Sequence, residues 1–234
     1  MINKAILFLI TLVTYCNSYA QEFLSPSDTF SHEQTAYIVL ADGTEIQGTI
    51  DDIDRKKGLI KFIKITDTEG KVHELQPEAV KNMYIPPSGF DKVQKAANFV
   101  SDTQKWNNEK LNQDLFSKGY AYFELGNVEI KKETQKLLMQ LLNPSFSEKI
   151  KVYYNPFANS TSSFGVGGIN LVGGIAKSYY VAYSDEKMIK LDKKSYEDEF
   201  SNLYQGCASL LEKFPDPKWR DFAEHITAFS DCND

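Results

Sequence analysis

Ala36-Tyr-Ile-Val-Leu-Ala-Asp-Gly-Thr-Glu-Ile-Gln-Gly-Thr-Ile-Asp51 decides the fold class. Ala36 to Ala41 is rich in β-branched and aromatic residues, which favour strands. Asp42-Gly43 between two such runs signals a two-residue hairpin turn, because the turn needs positive φ. Thr44 to Asp54 then alternates. Ile46, Gly48 and Ile50 share one parity, and Glu45, Gln47, Thr49 and Asp51 share the other. One face of that strand is buried and one is wet. Gly48 inside the strand marks a bend or bulge. Working outward, Arg55 to Gly58 is a polar turn, Leu59 to Thr66 a third strand, Asp67 to Gly70 a turn and Lys71 to Gln76 a fourth strand. Pro77-Glu-Ala-Val80 is a single helical turn with Pro where no hydrogen bond is lost. Asn82 to Ile85 is a fifth strand, stopped by Pro86-Pro87. Five short strands in one compact stretch predict a small antiparallel β-barrel over 36–87, since closure removes exposed edges.

The run Leu40-x-x-Gly43-x-x-Ile46-x-Gly48-x-Ile50-x-x-Ile53-Asp54 resembles the first motif of the Sm-like and SH3-like barrels. The resemblance implies the fold and a packing or docking role. It departs from the family where RNA binding would sit. Arg55-Lys56-Lys57-Gly58 stands where an Asn is expected, and Met83-Tyr84-Ile85-Pro86 replaces the late Arg-Gly pair. Fold carries over and RNA binding does not.

The chain opens with Met1-Ile-Asn-Lys4, an apolar run from Ala5 to Thr14, and Ser18-Tyr-Ala20. That is the pattern of a secretory signal peptide over 1–20, cleaved after Ala20. The apolar run is too short to span a bilayer comfortably, and no second one follows. Cys16 after Leu12-Val-Thr-Tyr15 offers a competing lipoprotein site, to which the bulky Tyr15 is a poor fit. The protein is therefore expected to be exported, to the periplasm or envelope or released. Loss of the leader removes Lys4 and no acid, taking the net charge from −6 to near −7. An acidic exported chain has no general attraction for nucleic acid or anionic lipid. Cys207 and Cys232 remain, and an even count in an exported chain reads first as a disulfide.

Residues 21–35 read as a flexible lead-in. Ser88-Gly-Phe-Asp91 looks like a capping box, and Phe90, Val93, Ala96, Ala97 and Val100 recur at helical spacing. Leu111, Leu115 and Phe116 resume that stripe, giving a helical bridge over 88–118.

Residues 119–234 read as an α+β domain with an antiparallel sheet. A short hairpin is expected at Leu125-Gly126-Asn127 and a helix over Lys131 to Asn143, from the spacing of Leu137, Leu138, Leu141 and Leu142. Strands follow at Lys149 to Tyr154, Lys177 to Tyr183 and Lys187 to Leu191. A glycine-flanked hairpin runs from Val166 to Val172. The glycines there form no nucleotide fingerprint, because Asn170 stands where a third glycine is needed and no Lys follows Gly173. Two antiparallel helices close the chain. One starts from a capping box at Ser195 to Asp198, and the other from Asp216 as N-cap with Pro217 at the first helical position.

No catalytic constellation, metal-ligand cluster or cofactor motif emerges. His32, His73 and His225 lie on separate elements, with His225 read as a helix-surface histidine. Asp51, Asp52 and Asp54 read as a solvated strand end. Glu197, Asp198 and Glu199 suit a first helical turn. Asn159-Ser-Thr161 is a formal glycosylation acceptor, one that would carry no meaning in a bacterial protein. Tyr153, Tyr154, Tyr179, Tyr180 and Tyr183 cluster on candidate strands. Because strands alternate, some should face outward, so these five form the candidate binding face.

The whole chain is also similar to exported proteins of Bacteroidota-type bacteria. The similarity is carried by Met83-Tyr-Ile-Pro-Pro87, Gln140-Leu-Leu-Asn-Pro144, Lys151-Val-Tyr-Tyr-Asn-Pro156 and Trp219…Phe222…Cys232. It implies location and architecture, and no activity. The reading is a non-enzymatic binding or structural module of the cell envelope acting through protein contacts, with an envelope protein or glycan as partner. The alternative is an envelope hydrolase with an acidic site between the domains.

Overall fold

The computed structural model describes residues 23–88, 110–158, 165–166, 169–170, 176–183 and 187–233. The leader with Cys16, the capping box at Ser88 to Asp91 with its helix, and the Asn159 acceptor lie outside them or run out of them. Five strands form as expected: β1 (Thr35–Leu40), β2 (Glu45–Lys56), β3 (Leu59–Asp67), β4 (Val72–Leu75) and β5 (Val80–Ile85). Pro77–Ala79 is the single 3₁₀ turn before β5.

The turns differ in detail from expectation. The β1–β2 loop holds four residues, Ala41 to Thr44, with the Gly43 amide donating to the Leu40 carbonyl at 3.0 Å and Leu40 N–H to the Thr44 carbonyl at 2.8 Å. Only Gly43, at φ 90°, takes the left-handed conformation, so Asp42 is spared it. Asp42 instead accepts from the Thr44 amide at 2.9 Å. Gly48 marks a close approach of backbones, because a Cβ there would sit 2.0 Å from the Thr66 carbonyl oxygen. The bulges in β2 come later, at Ile50/Asp52 and Asp54/Arg55.

Among the described residues no barrel closes over 36–87. β5 pairs onward with β6 (Ala121–Ile130), and β6 with β7 (Glu133–Gln140). The result is one antiparallel sheet of seven strands in the order β4-β3-β2-β1-β5-β6-β7. It curls until β7 lies beside β3 and the 3₁₀ turn. Its inner face holds one core of Ile38, Ile50, Ile63, Met83, Phe123 and Leu138 among others.

Two expectations in the next segment are corrected. Leu125-Gly126-Asn127 is no hairpin, because β6 runs straight through it. Gly126 is there because Met188 crosses it, with its Cε 2.2 Å from where a Cβ would stand. The turn falls at Lys131 and Lys132, both at positive φ. Lys131 to Asn143 is no helix either. Leu137 and Met139 enter one core while Leu138 enters another, so both faces of β7 are buried. A strand buried on both faces shows a continuous apolar run, which spacing alone does not separate from a helix.

The remaining strands β8 (Ile150–Tyr153), β11 (Ser178–Tyr183) and β12 (Ile189–Asp192) form a three-stranded antiparallel sheet in the order β12-β11-β8. Between β8 and β11, β9 (Gly165–Val166) and β10 (Ile169–Asn170) pair as a small hairpin. One face of the three-stranded sheet packs on β6 and β7 through Tyr153, Tyr180, Ala182 and Met188. The other packs under the C-terminal helices.

Three helices stand where two were expected. They are α2 (Tyr196–Leu203), α3 (Ala208–Lys213) and α4 (Phe222–Ser230), with α1 (Gln113–Ser117) earlier in the chain. The expected first helix breaks at Tyr204 to Cys207. Cys207 leaves helical geometry at φ −129° and ψ 81° and becomes the cap of α3. Neither expected N-cap makes its side-chain bond. Ser195 makes no cap bond, and Lys218 rather than Asp216 precedes the 3₁₀ turn Trp219–Asp221 that leads into α4.

The lead-in is a docked strap from residue 23 onward. Phe23 stacks on Phe146 and meets Tyr179 and Phe222 edge-on, at centroid distances of 6.1, 5.2 and 5.3 Å. Leu24 donates to the Leu142 carbonyl at 2.7 Å. The Gln140 side chain, 3% exposed, brackets the strap. Its oxygen accepts from Ser27 N–H at 2.8 Å and its amide donates to the Ser25 carbonyl at 3.1 Å. Phe30 packs against the core inside the large sheet. A buried backbone segment must place its polar groups, and Gln140 supplies two partners at once.

Candidate functional site

Strand register assembles a row of residues that the sequence scatters. Gln47 pairs with Tyr37, Tyr37 with Tyr84, and Tyr84 with Tyr122. The Leu141 amide donates to the Tyr122 carbonyl at 3.0 Å. Leu141 bridges to Tyr153, Tyr153 pairs with Tyr180, and Tyr180 with Lys190. Directly paired residues share a face, so these side chains line one surface that crosses both sheets.

The row is exposed at Lys190 and deeply buried along its middle. Tyr153 is 2% exposed and Tyr180 3%. The Tyr153 hydroxyl donates to Glu124 Oε1 at 2.7 Å, and Lys151 pairs with the same carboxylate at 3.1 Å. At the other end the row comes out into a groove of about 320 Å³. Its floor is Tyr37 and Val39, with Tyr84 beside them. Glu45 and Gln47 of β2 stand on one side, and Asp114, Leu115 and Lys118 of α1 on the other.

Local chemistry places α1 over the floor. The Asn112 side chain caps it by accepting from Leu115 N–H at 3.2 Å, and Asn112 N–H donates to the Tyr84 hydroxyl at 2.9 Å. Leu115 and Phe116 are buried, and Phe116 meets Tyr84 edge-on at 5.7 Å. Tyr120 lies against Tyr37 at 6.2 Å and donates to the Thr35 carbonyl at 2.9 Å. Burial raises the Tyr84 pKa, opposed by the amide bond from Asn112. Tyr84 therefore keeps its phenol proton. Among the described residues neither its hydroxyl nor that of Tyr37 donates to a protein acceptor.

The binding face expected at Tyr153, Tyr154, Tyr179, Tyr180 and Tyr183 is not one face. Tyr153 and Tyr180 enter the core against β6 and β7, while Tyr179 packs under the helices with Tyr154 and Tyr183 half-buried beside it. The alternation of the strands was read correctly. The sheet is covered on both sides over β8 and β11, so none of the five is fully exposed. Tyr37 and Tyr84 were missed as a pair. Each has a parity signal, standing out of phase with Ile38 and with Met83 and Ile85. Only β1–β5 pairing brings them together.

Cys207 and Cys232 meet at disulfide distance, with Cα atoms 6.0 Å apart. His225 is corrected from surface to core, at 0% exposure. Its Nδ1 lies 2.6 Å from the Tyr196 hydroxyl, which lies 3.0 Å from that of Tyr204. Phe200 and Phe214 close around the ring at 5.1 and 4.4 Å. Nε2 is buried without a hydrogen-bond partner. Burial, reinforced by Lys213 and opposed by Asp221, pulls the His225 pKa down to about 4. The cluster has chemistry but no opening, which makes it a structural network. His73 pairs with Asp67 at 2.7 Å, and His32 Nδ1 lies 3.0 Å from the Ile50 carbonyl oxygen. Asp51, Asp52 and Asp54 are exposed. Among the described residues no group of three His, Cys, Asp or Glu is placed to hold a metal. No helix among them is long and apolar enough to cross a membrane. No family model, no curated protein and no solved structure matches the chain.

Proposed function

We propose that this protein is an exported, non-enzymatic binding module of the cell envelope that acts through protein contacts, with the Tyr37–Tyr84 groove as its contact surface. One observation carries the reading. Two tyrosines with unspent hydroxyl donors stand in a groove at one end of a row whose middle members, Tyr122, Leu141, Tyr153 and Tyr180, are buried in the core. Tyrosine offers large, rigid contact area at low entropic cost, and a rigid sheet holds it in place before any partner arrives. The cysteine pair at disulfide distance suits an oxidising compartment. At the junction of the two sheets, Glu124 is engaged by Tyr153 and Lys151.

The test is photo-crosslinking in the native host, with a benzophenone amino acid at position 37 and, as control, at exposed Glu69. A single reproducible partner captured at 37 and not at 69, and lost on Tyr84→Ala, supports the reading. Capture equal at the two positions, or none at 37, removes it.

A further inference from the structure

The groove carries charge as well as rings. Glu45 on β2 and Asp114 on α1 place carboxylates on its two sides, and among the described residues Lys118 is the one cation lining it. Asp114 and Lys118 are four residues apart on α1, a spacing that brings side chains together. Yet among the described residues none of these three side chains forms an ion pair. The Tyr37 ring lies between the two carboxylate-bearing elements, with Tyr84 next to it in register.

We infer that the occupant of the groove is an extended segment of a partner protein presenting a lysine or arginine side chain. This rests on reading the groove as a protein-contact surface and adds the chemistry of what it contacts. The methylene stem of such a side chain covers the Tyr37 ring, as long cationic side chains do on apolar surface. Its charged head meets the negative face of an aromatic ring and two carboxylates without competing partners. The Tyr37 and Tyr84 hydroxyls donate to the carbonyls of the segment. A net charge of −6 on the whole chain adds long-range attraction for a cation and repels an acidic segment. This chain carries a basic element of its own, the exposed Lys131-Lys132 turn, so a second copy is the occupant to be distinguished from a partner.

The experiment titrates the full exported chain, with tyrosines replaced by 3-fluorotyrosine, against three capped pentapeptides. These are Ser-Ala-Xaa-Ala-Ser with Xaa as Arg, Gln or Glu. The expected result is a shift of the Tyr37 and Tyr84 fluorine signals, assigned by Tyr→Phe variants. Affinity falls about fivefold from Arg to Gln and is weaker still for Glu. The double variant Glu45→Gln, Asp114→Asn binds the Arg and Gln peptides alike while melting like the parent. Equal binding of Arg and Gln peptides by the parent overturns the inference and leaves the protein-contact reading intact. No response to any peptide, with crosslinking at position 37 retained, does the same. No response together with absent crosslinking removes both. Salt-sensitive dimerisation abolished by Lys131→Glu, Lys132→Glu assigns the groove to a second copy and overturns the partner.

Discussion

Acid should weaken this fold through one buried ring. His225 has no exposed surface, and its environment pulls the pKa from the ordinary 6.5 to about 4. The groups facing it are Tyr196, which hydrogen-bonds to it and in turn to Tyr204, then Asp221, which favours its protonation, and Lys213, which disfavours it. Above pH 6.5 the ring is neutral in both folded and unfolded chains and costs nothing. Between pH 6.5 and 4 the unfolded chain takes up a proton that the folded chain refuses, so stability falls with falling pH. Linkage with these two values gives a loss of about 2 kcal/mol at pH 5 and about 3 kcal/mol at pH 4. The perturbation is His225→Gln, whose side chain accepts from Tyr196 and does not titrate. Urea unfolding at pH 7 and pH 5 on both proteins measures the effect, and the difference between them cancels the carboxylates and the other two histidines. The parent should lose about 2 kcal/mol more than the variant on acidification. Equal losses would refute the reasoning, since they would mean that His225 binds protons as readily folded as unfolded.

Three further outcomes follow from contacts described above. Gly48→Ala drives a Cβ into the Thr66 backbone and should cost more than about 3 kcal/mol in urea unfolding, whereas Gly126→Ala meets only the mobile end of Met188 and should cost about 1 kcal/mol. Gln140→Ala strands the Ser27 amide and the Ser25 carbonyl, so it should cost about 2 kcal/mol and speed proteolysis ahead of Glu33, read by mass spectrometry of the first cut. Replacing both Cys207 and Cys232 by Ala removes a link across 25 residues and should lower stability by about 3 kcal/mol without changing the crosslinking pattern at position 37.

The strands β1 to β5 were legible because each has one wet face, which leaves a period of two in the sequence. β7 was not, because both of its faces are buried and its leucines then imitate a helix. The five tyrosines failed as a site for the same reason. Their alternation was real, but a second layer covers each face, and layers are set by contacts distant in the chain. His225 was misread because its neighbour Glu224 is polar. Its burial comes from Phe200, Phe214 and Tyr196, which only the packing of α2 and α3 on α4 brings around it. The strap was lost because a polar, irregular segment looks unstructured when its partners, Gln140 and Phe222, lie far along the chain. The cysteine pair was legible from its even count together with the expected export.

The strap also sets an order of events. A chain made from its N-terminus delivers Phe23 early, yet the ring closes on Phe222 near the opposite end. Leu24 and Ser27 wait for Leu142 and Gln140. Contacts between the two ends of a chain close slowly, because the loop entropy is lost before they form. The first residues to arrive are thus among the last to settle. Until then the aromatic surface of Phe146, Tyr179 and Phe222 stays open, which makes the newly made chain a client for a holding chaperone until its C-terminal helix is delivered.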